Sequence, residues 1–297
     1  MKTKHFAQLV ALSALWGASF MLIRIASPVL GPNVLAALRI GAATLTLAVL
    51  MRAMAHPWPT GHWKELALIG LLSVALPFLL FAWAALQLPA GYSALLNSTA
   101  VLFGIFASAW MKEDTLTARK LIGCAFGFSG VALIVGLGPV EPSLKVALAA
   151  LGCVTASACY GISTPLMKRA LTRMQPLQIA AGLHATALLM LLPGAAWSWP
   201  AAQFTPMALL AVAIMGVVTS GIAYWMHIRI LAHVSPVAAM SPTFMIPVFG
   251  VAWGHVFLGE QLSTGIFAGG ALVLLASALV TGFNPWQKWL DVVDAKP

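Results

Sequence analysis

Long stretches without charge dominate the pattern of hydrophobic and polar positions along the chain. Residues 66–111 and 174–228 contain no Asp, Glu, Lys or Arg, and each is long enough for two bilayer crossings of about 20 residues. Because hydrocarbon offers no hydrogen-bond partner for a backbone amide, apolar runs of this length predict helices. Composition agrees, since 61% of the residues are hydrophobic and 8% are charged. The pattern predicts an all-α integral membrane protein.

Proline, glycine and charged residues interrupt the apolar pattern and predict ten transmembrane helices. The predicted spans are residues 6–26, 33–54, 65–86, 91–111, 117–137, 145–168, 176–197, 206–228, 236–258 and 264–283. The connections between them are too short to hold a soluble domain. The chain therefore divides into a first unit, residues 6–137, a second unit, residues 145–283, and a C-terminal tail, residues 284–297.

The second unit repeats the first. Residues 16–26 return 144 positions later as residues 160–170, with an aromatic residue, a Gly, a Ser, a cation and an Ala in matching places. Near the end of each unit the offset is 146, where Asp114, Leu116, Gly123, Leu133 and Gly136 match Glu260, Leu262, Gly269, Leu279 and Gly282. Because five spans per unit is an odd number, the second unit enters the membrane in the opposite direction. This predicts two inverted five-helix repeats, which place a binding site near the midplane and permit alternating access.

Positive charges are distributed unequally between the two ends of the predicted spans. With a cytoplasmic N-terminus, 13 of the 16 Lys and Arg residues lie on the cytoplasmic side, and only Arg24 and Lys145 lie outside. The positive-inside rule therefore predicts that both termini are cytoplasmic. This bias and the anionic lipid of that face account for the net charge of +9. The charge therefore predicts no nucleic-acid partner.

Aromatic and polar residues near mid-membrane form a candidate binding site. The repeat relates Trp16 to Tyr160 and Phe78 to Tyr224. An aromatic wall suits a partly apolar organic substrate through stacking or contact with an ammonium group, although ordinary helix packing is the alternative interpretation. The cavity is predicted to be lined by spans 1, 3, 4, 6, 8 and 9. The predicted substrate-binding residues are Trp16, Ser19, Phe78, Asn97, Tyr160, Ser163 and Tyr224.

Two titratable residues inside the spans are candidate accessory groups. Arg39 lies within span 2 and could bind a substrate carboxylate through its planar guanidinium. The alternative is that it extends towards the outer interface or pairs with Glu260 at the end of span 9. His184 lies near the middle of span 7 and is the only other deep titratable group that the pattern indicates. It could relay a proton, or it could be a neutral hydrogen-bonding residue.

The positions of the acidic residues and cysteines exclude several classes of function. All seven carboxylates lie in loops or at helix ends, namely Glu65, Glu113, Asp114, Glu141, Glu260, Asp291 and Asp294. A proton-coupled exporter of cationic drugs usually needs a carboxylate at mid-membrane, so this distribution favours a substrate with little net charge. The three cysteines form no metal motif, and no glycine-rich phosphate loop is present. The sequence therefore predicts no enzymatic activity, no metal and no cofactor.

Several short motifs carry a resemblance to a known family. They are Trp16-Gly17-Ala18-Ser19-Phe20, Leu38-Arg39, and Pro247 followed by Phe257-Leu258-Gly259-Glu260-Gln261-Leu262. With these motifs the chain resembles the drug/metabolite transporter superfamily in its ten-helix EamA form, over nearly its whole length. Within that family it looks most like the amino-acid exporters of the YddG type. The first repeat departs from the pattern, with Lys112-Glu113-Asp114 where Leu-Gly-Glu is usual.

The resemblance and the residues together predict a secondary transporter of a bacterial inner membrane. It is expected to export small zwitterionic metabolites, above all amino acids with aromatic or other hydrophobic side chains, by alternating access. The alternatives are an exporter of drugs or lipophilic cations, and a membrane channel or scaffold that never alternates. The expected partners are a small-molecule substrate and the lipid bilayer. A monomer is compatible with the sequence.

Overall fold

The computed structural model describes residues 3–88, 90–135, 143–258 and 265–282, and the described residues form helices and no strands. The helices are α1 (Thr3–Leu30), α2 (Pro32–Ala53), α3 (Trp63–Gly70), α4 (Leu76–Ala84), α5 (Ala90–Ser98), α6 (Ala100–Trp110), α7 (Ala118–Val135), α8 (Leu144–Ala170), α9 (Pro176–Ser198), α10 (Pro206–Ile214), α11 (Ala223–Leu231), α12 (Pro236–Ala239), α13 (Pro242–Leu258) and α14 (Gly265–Thr281). The predicted C-terminal tail, residues 284–297, lies outside the described residues.

Six helical stretches in the described part of the chain are long and apolar enough to cross a membrane. They are Lys4–Leu30, Pro32–Ala53, Thr60–Ala84, Leu144–Ala170, Pro176–Ala201 and Pro206–Leu231. Three further apolar helical stretches are shorter, namely Leu96–Trp110, Pro236–Gly250 and Ala268–Thr281. The described residues are thus helical as predicted, and these stretches have the length and composition of membrane-spanning helices.

Two of the predicted spans are interrupted. Residues 91–111 form α5 and α6, which meet at Thr99, and the Thr99 hydroxyl donates a hydrogen bond of 2.6 Å to the Leu96 carbonyl. Such a local bond competes with the helical ladder. Residues 236–258 form α12 and α13, which are separated at Met240 and Ser241. Pro242 follows directly and supplies no amide hydrogen to continue the helix.

Two longer stretches contain a π-helical segment, at Leu71–Ala75 and at Met215–Ile222. The segments start 144 residues apart, which is the offset of the sequence repeat. Pro77 follows the first segment, and because a proline has no amide hydrogen it cannot donate to the Ser73 carbonyl. That carbonyl instead accepts a hydrogen bond of 3.3 Å from the Tyr224 hydroxyl. π-Helical turns of this kind occur frequently at functional sites.

The helices pack in pairs that correspond between the two units. α1 packs against α13, and α8 packs against α6. A Cβ added at Gly17 of α1 would meet the Phe249 Cβ at 2.8 Å and the Gly250 nitrogen at 3.0 Å. A Cβ added at Gly161 of α8 would meet the Phe103 Cβ at 2.5 Å and the Gly104 nitrogen at 2.7 Å. Each of these contacts has its counterpart 144 to 146 residues away.

A second correspondence involves the π-helical stretches. A Cβ added at Gly70 would meet the Leu183 carbonyl oxygen at 2.5 Å, and one added at Gly216 would meet the Arg39 carbonyl oxygen at 2.8 Å. Gly70 and Gly216 are 146 residues apart, and Arg39 and Leu183 are 144 residues apart. Gly216 therefore lets the second π-helical stretch lie close to α2 at Arg39, as Gly70 lets the first lie close to α9 at Leu183.

Candidate substrate-binding cavity

A cavity of about 120 Å³ lies at the centre of the helices, far larger than the space that one ordered water needs. Residues of α1, α2, α4, α5, α8, α11, α12 and α13 surround it. The lining residues are Trp16, Ser19, Phe20, Ile23, Arg39, Phe78, Phe81, Asn97, Tyr160, Ser163, Thr164, Met167, Tyr224, His227, Ala239, Met240, Pro242, Thr243 and Ile246.

All seven predicted substrate-binding residues line this one cavity, together with Arg39. Their assignment to substrate binding stays a prediction. The wall comes from the six predicted spans and also from α2, which contributes Arg39. Repeat symmetry and depth in the membrane were the two signals that brought these residues together. Thr243 also lines the cavity and lies 146 residues after Asn97, so the repeat relates these two polar residues.

Aromatic rings form much of the wall. The Tyr160 ring is stacked on the Phe81 ring at 6.2 Å between centroids, and Phe81 meets Phe20 edge to face at 5.8 Å. Across the cavity, the Trp16 ring lies edge-on to His227 at 5.2 Å. Offset and edge-to-face arrangements are the favourable geometries for such rings. The wall can therefore contact a partly apolar organic body on several sides.

Hydrogen bonds attach α1 to the second π-helical segment. The Trp16 Nε1 donates to the Thr219 carbonyl at 2.9 Å, and the Ser19 hydroxyl donates to the Thr219 hydroxyl at 3.1 Å. The Thr219 hydroxyl in turn donates to the Met215 carbonyl at 3.0 Å. Trp16 is thus held by a polar contact at its indole nitrogen, while its ring lines the cavity.

Arg39 is a buried charge in the cavity wall, with 6% of its surface exposed. Its Nε donates to the Ser220 hydroxyl at 2.7 Å, and its Nη2 lies 3.4 Å from the Thr219 hydroxyl. The guanidinium carbon lies 4.0 Å from the centroid of the Phe78 ring, which is a cation–π contact. The side chain therefore points into the protein rather than towards the outer interface. The alternative partner, Glu260, lies outside the described residues.

Asn97 supplies an acceptor to the same cavity. Its side chain is 4% exposed, and its Oδ1 has no hydrogen-bond partner among the described residues. A buried amide oxygen without a partner is costly, so a ligand donor at this place would be favourable. Asn97 lies in the last turn of α5, two residues before the interruption at Thr99.

The two buried histidines differ from the sequence expectation. His184 is fully buried but does not line the cavity, and its Nδ1 lies 2.8 Å from the Ala180 carbonyl. Its ring packs edge-on behind Tyr224 at 4.9 Å. His227, which the sequence interpretation did not single out, is 6% exposed and does line the cavity. The expectation that His184 was the only deep titratable group besides Arg39 was therefore wrong, because α11 continues to Leu231 and places His227 deeper than the predicted span end did.

The carboxylates of the described residues lie away from the cavity, in ion pairs at helix ends. Glu65 pairs with Arg173, and Glu113 pairs with Arg169 at 2.8 Å. Asp114 pairs with Lys120 at 2.5 Å. None of these acids lines the cavity, so its described wall carries one guanidinium and no acidic group.

Comparison with known proteins gives a consistent assignment. The EamA-like transporter family model matches residues 6–136 and again residues 147–282. The Bacillus subtilis transporter YvbV is 26% identical over 292 residues, covering 97% of this chain and 94% of that protein. The inner membrane transporter YedA of Escherichia coli K12 is 28% identical, covering 93% of this chain and 90% of that protein.

Two further comparisons concern an exporter and the fold. A protein of Streptantibioticus cattleyicolor, named a probable terminal-alkyne amino-acid exporter, is 24% identical and covers 89% of each chain. A solved crystal structure superposes with a TM-score of 0.73 at 15% identity, covering 91% of this chain and 98% of that one. At that identity the superposition shows the fold alone. The chain belongs to the EamA-like transporter family, within the drug/metabolite transporter superfamily, and it is a membrane transporter and not an enzyme.

Proposed function

We propose that the protein exports small zwitterionic metabolites, and amino acids with aromatic or other hydrophobic side chains in particular, from the cytoplasm of a bacterium. The observation that carries the proposal is the central cavity, in which aromatic rings, the Arg39 guanidinium and the free Asn97 oxygen face one space. An amino acid offers a matching apolar body, carboxylate and ammonium group. The relative named as an amino-acid exporter supports the same substrate class.

The proposal includes an architecture of ten transmembrane helices in two inverted repeats, residues 6–137 and 145–283. The two ranges matched by the family model support this division. The paired contacts of Gly17 with Gly161 and of Gly70 with Gly216 support an exchange symmetry between the units. Such symmetry lets one unit adopt the conformation of the other, which is the basis of alternating access.

We expect a test of saturable counterflow to separate this function from a channel. In liposomes that contain the purified protein and internal unlabelled phenylalanine, external labelled phenylalanine should accumulate transiently above its equilibrium level. Only a carrier that alternates couples the two fluxes in this way. Linear uptake that neither saturates nor responds to internal substrate would contradict alternation, and absence of any amino-acid flux would contradict the substrate class.

Both termini are proposed to be cytoplasmic in an inner membrane, and one introduced thiol tests this. Cys124, Cys153 and Cys159 are buried and free, so a background with these three replaced by alanine is the control. A single cysteine among residues 139–142, a predicted connection that lies outside the described residues, should react with an impermeant thiol reagent in intact spheroplasts. Reaction only after permeabilisation would reverse the proposed topology.

Transport is proposed to run on the substrate's own gradient, without proton coupling through His184. His184 lies behind Tyr224 and does not line the cavity, so it has no contact with a substrate there. We expect phenylalanine uptake into liposomes to proceed without a pH difference and to survive a protonophore, and the variant His184→Ala to retain at least about half of the initial rate. Strict dependence on a pH gradient, lost in His184→Ala, would identify this histidine as a proton carrier.

A further inference from the structure

The charge of the cavity wall is unbalanced. Among the described lining residues Arg39 is the only Lys or Arg, and no Asp or Glu lines the cavity. The three acids in the described part of the chain are engaged in ion pairs at helix ends. The part of the cavity wall that the structure describes therefore contains a fixed positive charge and otherwise neutral groups.

The contacts of Arg39 leave part of the guanidinium available. The Nε donates to the Ser220 hydroxyl at 2.7 Å and the Nη2 to the Thr219 hydroxyl at 3.4 Å. These are two of the five N–H donors of an arginine, and both acceptors are neutral. A buried charge with only neutral partners is strongly unfavourable relative to one that is paired. A carboxylate that enters the cavity would supply two oxygens to the remaining donors, in the geometry that guanidinium binds best.

Among the described lining residues, no acid is present to pair with the ammonium group of an amino acid. The acceptors in the described wall are neutral, and two polar atoms there are buried and unpartnered, the Asn97 Oδ1 and the His227 Nδ1. The aromatic faces of Phe81 and Tyr160 can contact an ammonium group, but these contacts are weaker than a charge pair. The fixed charge of Arg39 also repels a second cation in a medium of low dielectric constant.

We propose that Arg39 is the specificity-determining residue of the carrier, that the substrate carboxylate is the group it requires, and that the substrate amino group is dispensable. This inference rests on the proposed function and extends its substrate class. The protein then transports small amphiphilic carboxylates without an amino group as well as amino acids, and it rejects amines and lipophilic cations. A carboxylate without an ammonium group carries a net charge, so its transport responds to membrane potential by up to about 50-fold in accumulation per 100 mV.

The experiment compares three probes that share a phenyl ring, in liposomes that contain the purified protein. Phenylalanine has both charged groups, phenylpyruvate has only the carboxylate, and phenethylamine has only the ammonium group. Protein-free liposomes at pH 7.5 give the passive background. We expect saturable uptake of phenylalanine and of phenylpyruvate, each inhibited by the other, and no uptake of phenethylamine above background. A potential positive inside should raise phenylpyruvate accumulation more than tenfold and leave phenylalanine accumulation within about twofold.

Variants of Arg39 complete the test. Arg39→Gln should lower phenylpyruvate uptake by about 50-fold or more, and Arg39→Lys, which keeps the charge but loses the planar fork, should lower it by about tenfold. The matched control is Arg229→Gln, because Arg229 also lies over an aromatic ring, that of Trp225 at 5.1 Å, but is exposed and outside the cavity. Each variant is compared at equal protein amount. If Arg39→Gln does not fold, the comparison of the three probes on the unaltered protein still tests whether the carboxylate is required and the amino group is dispensable.

The outcomes separate this inference from the proposed function. Uptake of phenylalanine without phenylpyruvate would overturn the inference and leave amino-acid export intact. Uptake of phenylpyruvate without phenylalanine would overturn amino-acid export and leave the carboxylate requirement intact. Unchanged uptake of both carboxylates by a folded Arg39→Gln variant would overturn the role of Arg39, as would transport of phenethylamine.

Discussion

Replacing Tyr160 by alanine should lower the rate of transport at low substrate concentration by about tenfold or more. The Tyr160 ring lines the cavity and is stacked on Phe81 at 6.2 Å. Removing it deletes one face of the wall against which the apolar body of a substrate packs. Burying an aromatic side chain is worth about 1.5–3 kcal/mol, which corresponds to roughly 10–100-fold in affinity. The measurement is the initial rate of labelled phenylalanine uptake into liposomes.

Trp16→Ala should have a similar effect, because Trp16 is the counterpart of Tyr160 in the other unit and lines the same cavity. Trp16→Phe separates the ring from its polar contact, since it keeps an aromatic face and removes the Nε1 donor to the Thr219 carbonyl. The matched control is Trp197→Ala, because Trp197 is 89% exposed on the outside of the helices. Equal losses in Tyr160→Ala, Trp16→Ala and Trp197→Ala at equal protein amount would make these rings packing residues.

The helical architecture could be predicted from the sequence, because the backbone amides of a long apolar run in hydrocarbon must hydrogen-bond within a helix. The uncharged stretches 66–111 and 174–228 had to be helical, and the structure is helical there, apart from short turns, in every residue that it describes. The interruption at Thr99 was not predicted, because it depends on a local side-chain bond that leaves the hydrophobic pattern unchanged. The interruption at Met240–Ser241 lies directly before Pro242, and a proline inside a span is expected to bend its helix.

Repeat symmetry in the sequence was enough to group the candidate residues around one cavity. It did not reveal which residues form hydrogen bonds with them. The offset of 144 identified Trp16 and Tyr160 as equivalent, and both line the cavity. The contact of Arg39 with Ser220 joins residues 181 positions apart, and no local pattern encodes such a pair. His227 was overlooked because the predicted span ended at residue 228, while α11 continues to Leu231. The three additional residues of α11 make nearly one helical turn. They place the His227 ring in the cavity rather than at the end of a span.

The glycine contacts explain why the helices can lie close enough to enclose a small cavity. The approach of Phe249 to Gly17, and of Phe103 to Gly161, leaves no room for a side chain at either glycine. Small residues at helix crossings are the usual means of close packing in membranes, where apolar burial alone does not drive association. The position of the cavity wall therefore depends on two residues that do not themselves line the cavity.

Gly161→Ala should destabilise the protein by about 1–3 kcal/mol, the usual range for overpacking a closely packed site. The added Cβ would lie 2.5 Å from the Phe103 Cβ and 2.7 Å from the Gly104 nitrogen, so α8 and α6 have to move apart. Gly17→Ala should act in the same direction through Phe249 and Gly250. The matched control is Gly270→Ala in α14, where an added Cβ would meet nothing within 4 Å. In thermal melts of the detergent-solubilised protein, we expect both crossing variants to unfold several degrees below the unaltered protein and Gly270→Ala to unfold no earlier than it. Equal midpoints for Gly161→Ala and Gly270→Ala would contradict the close crossing of α8 with α6.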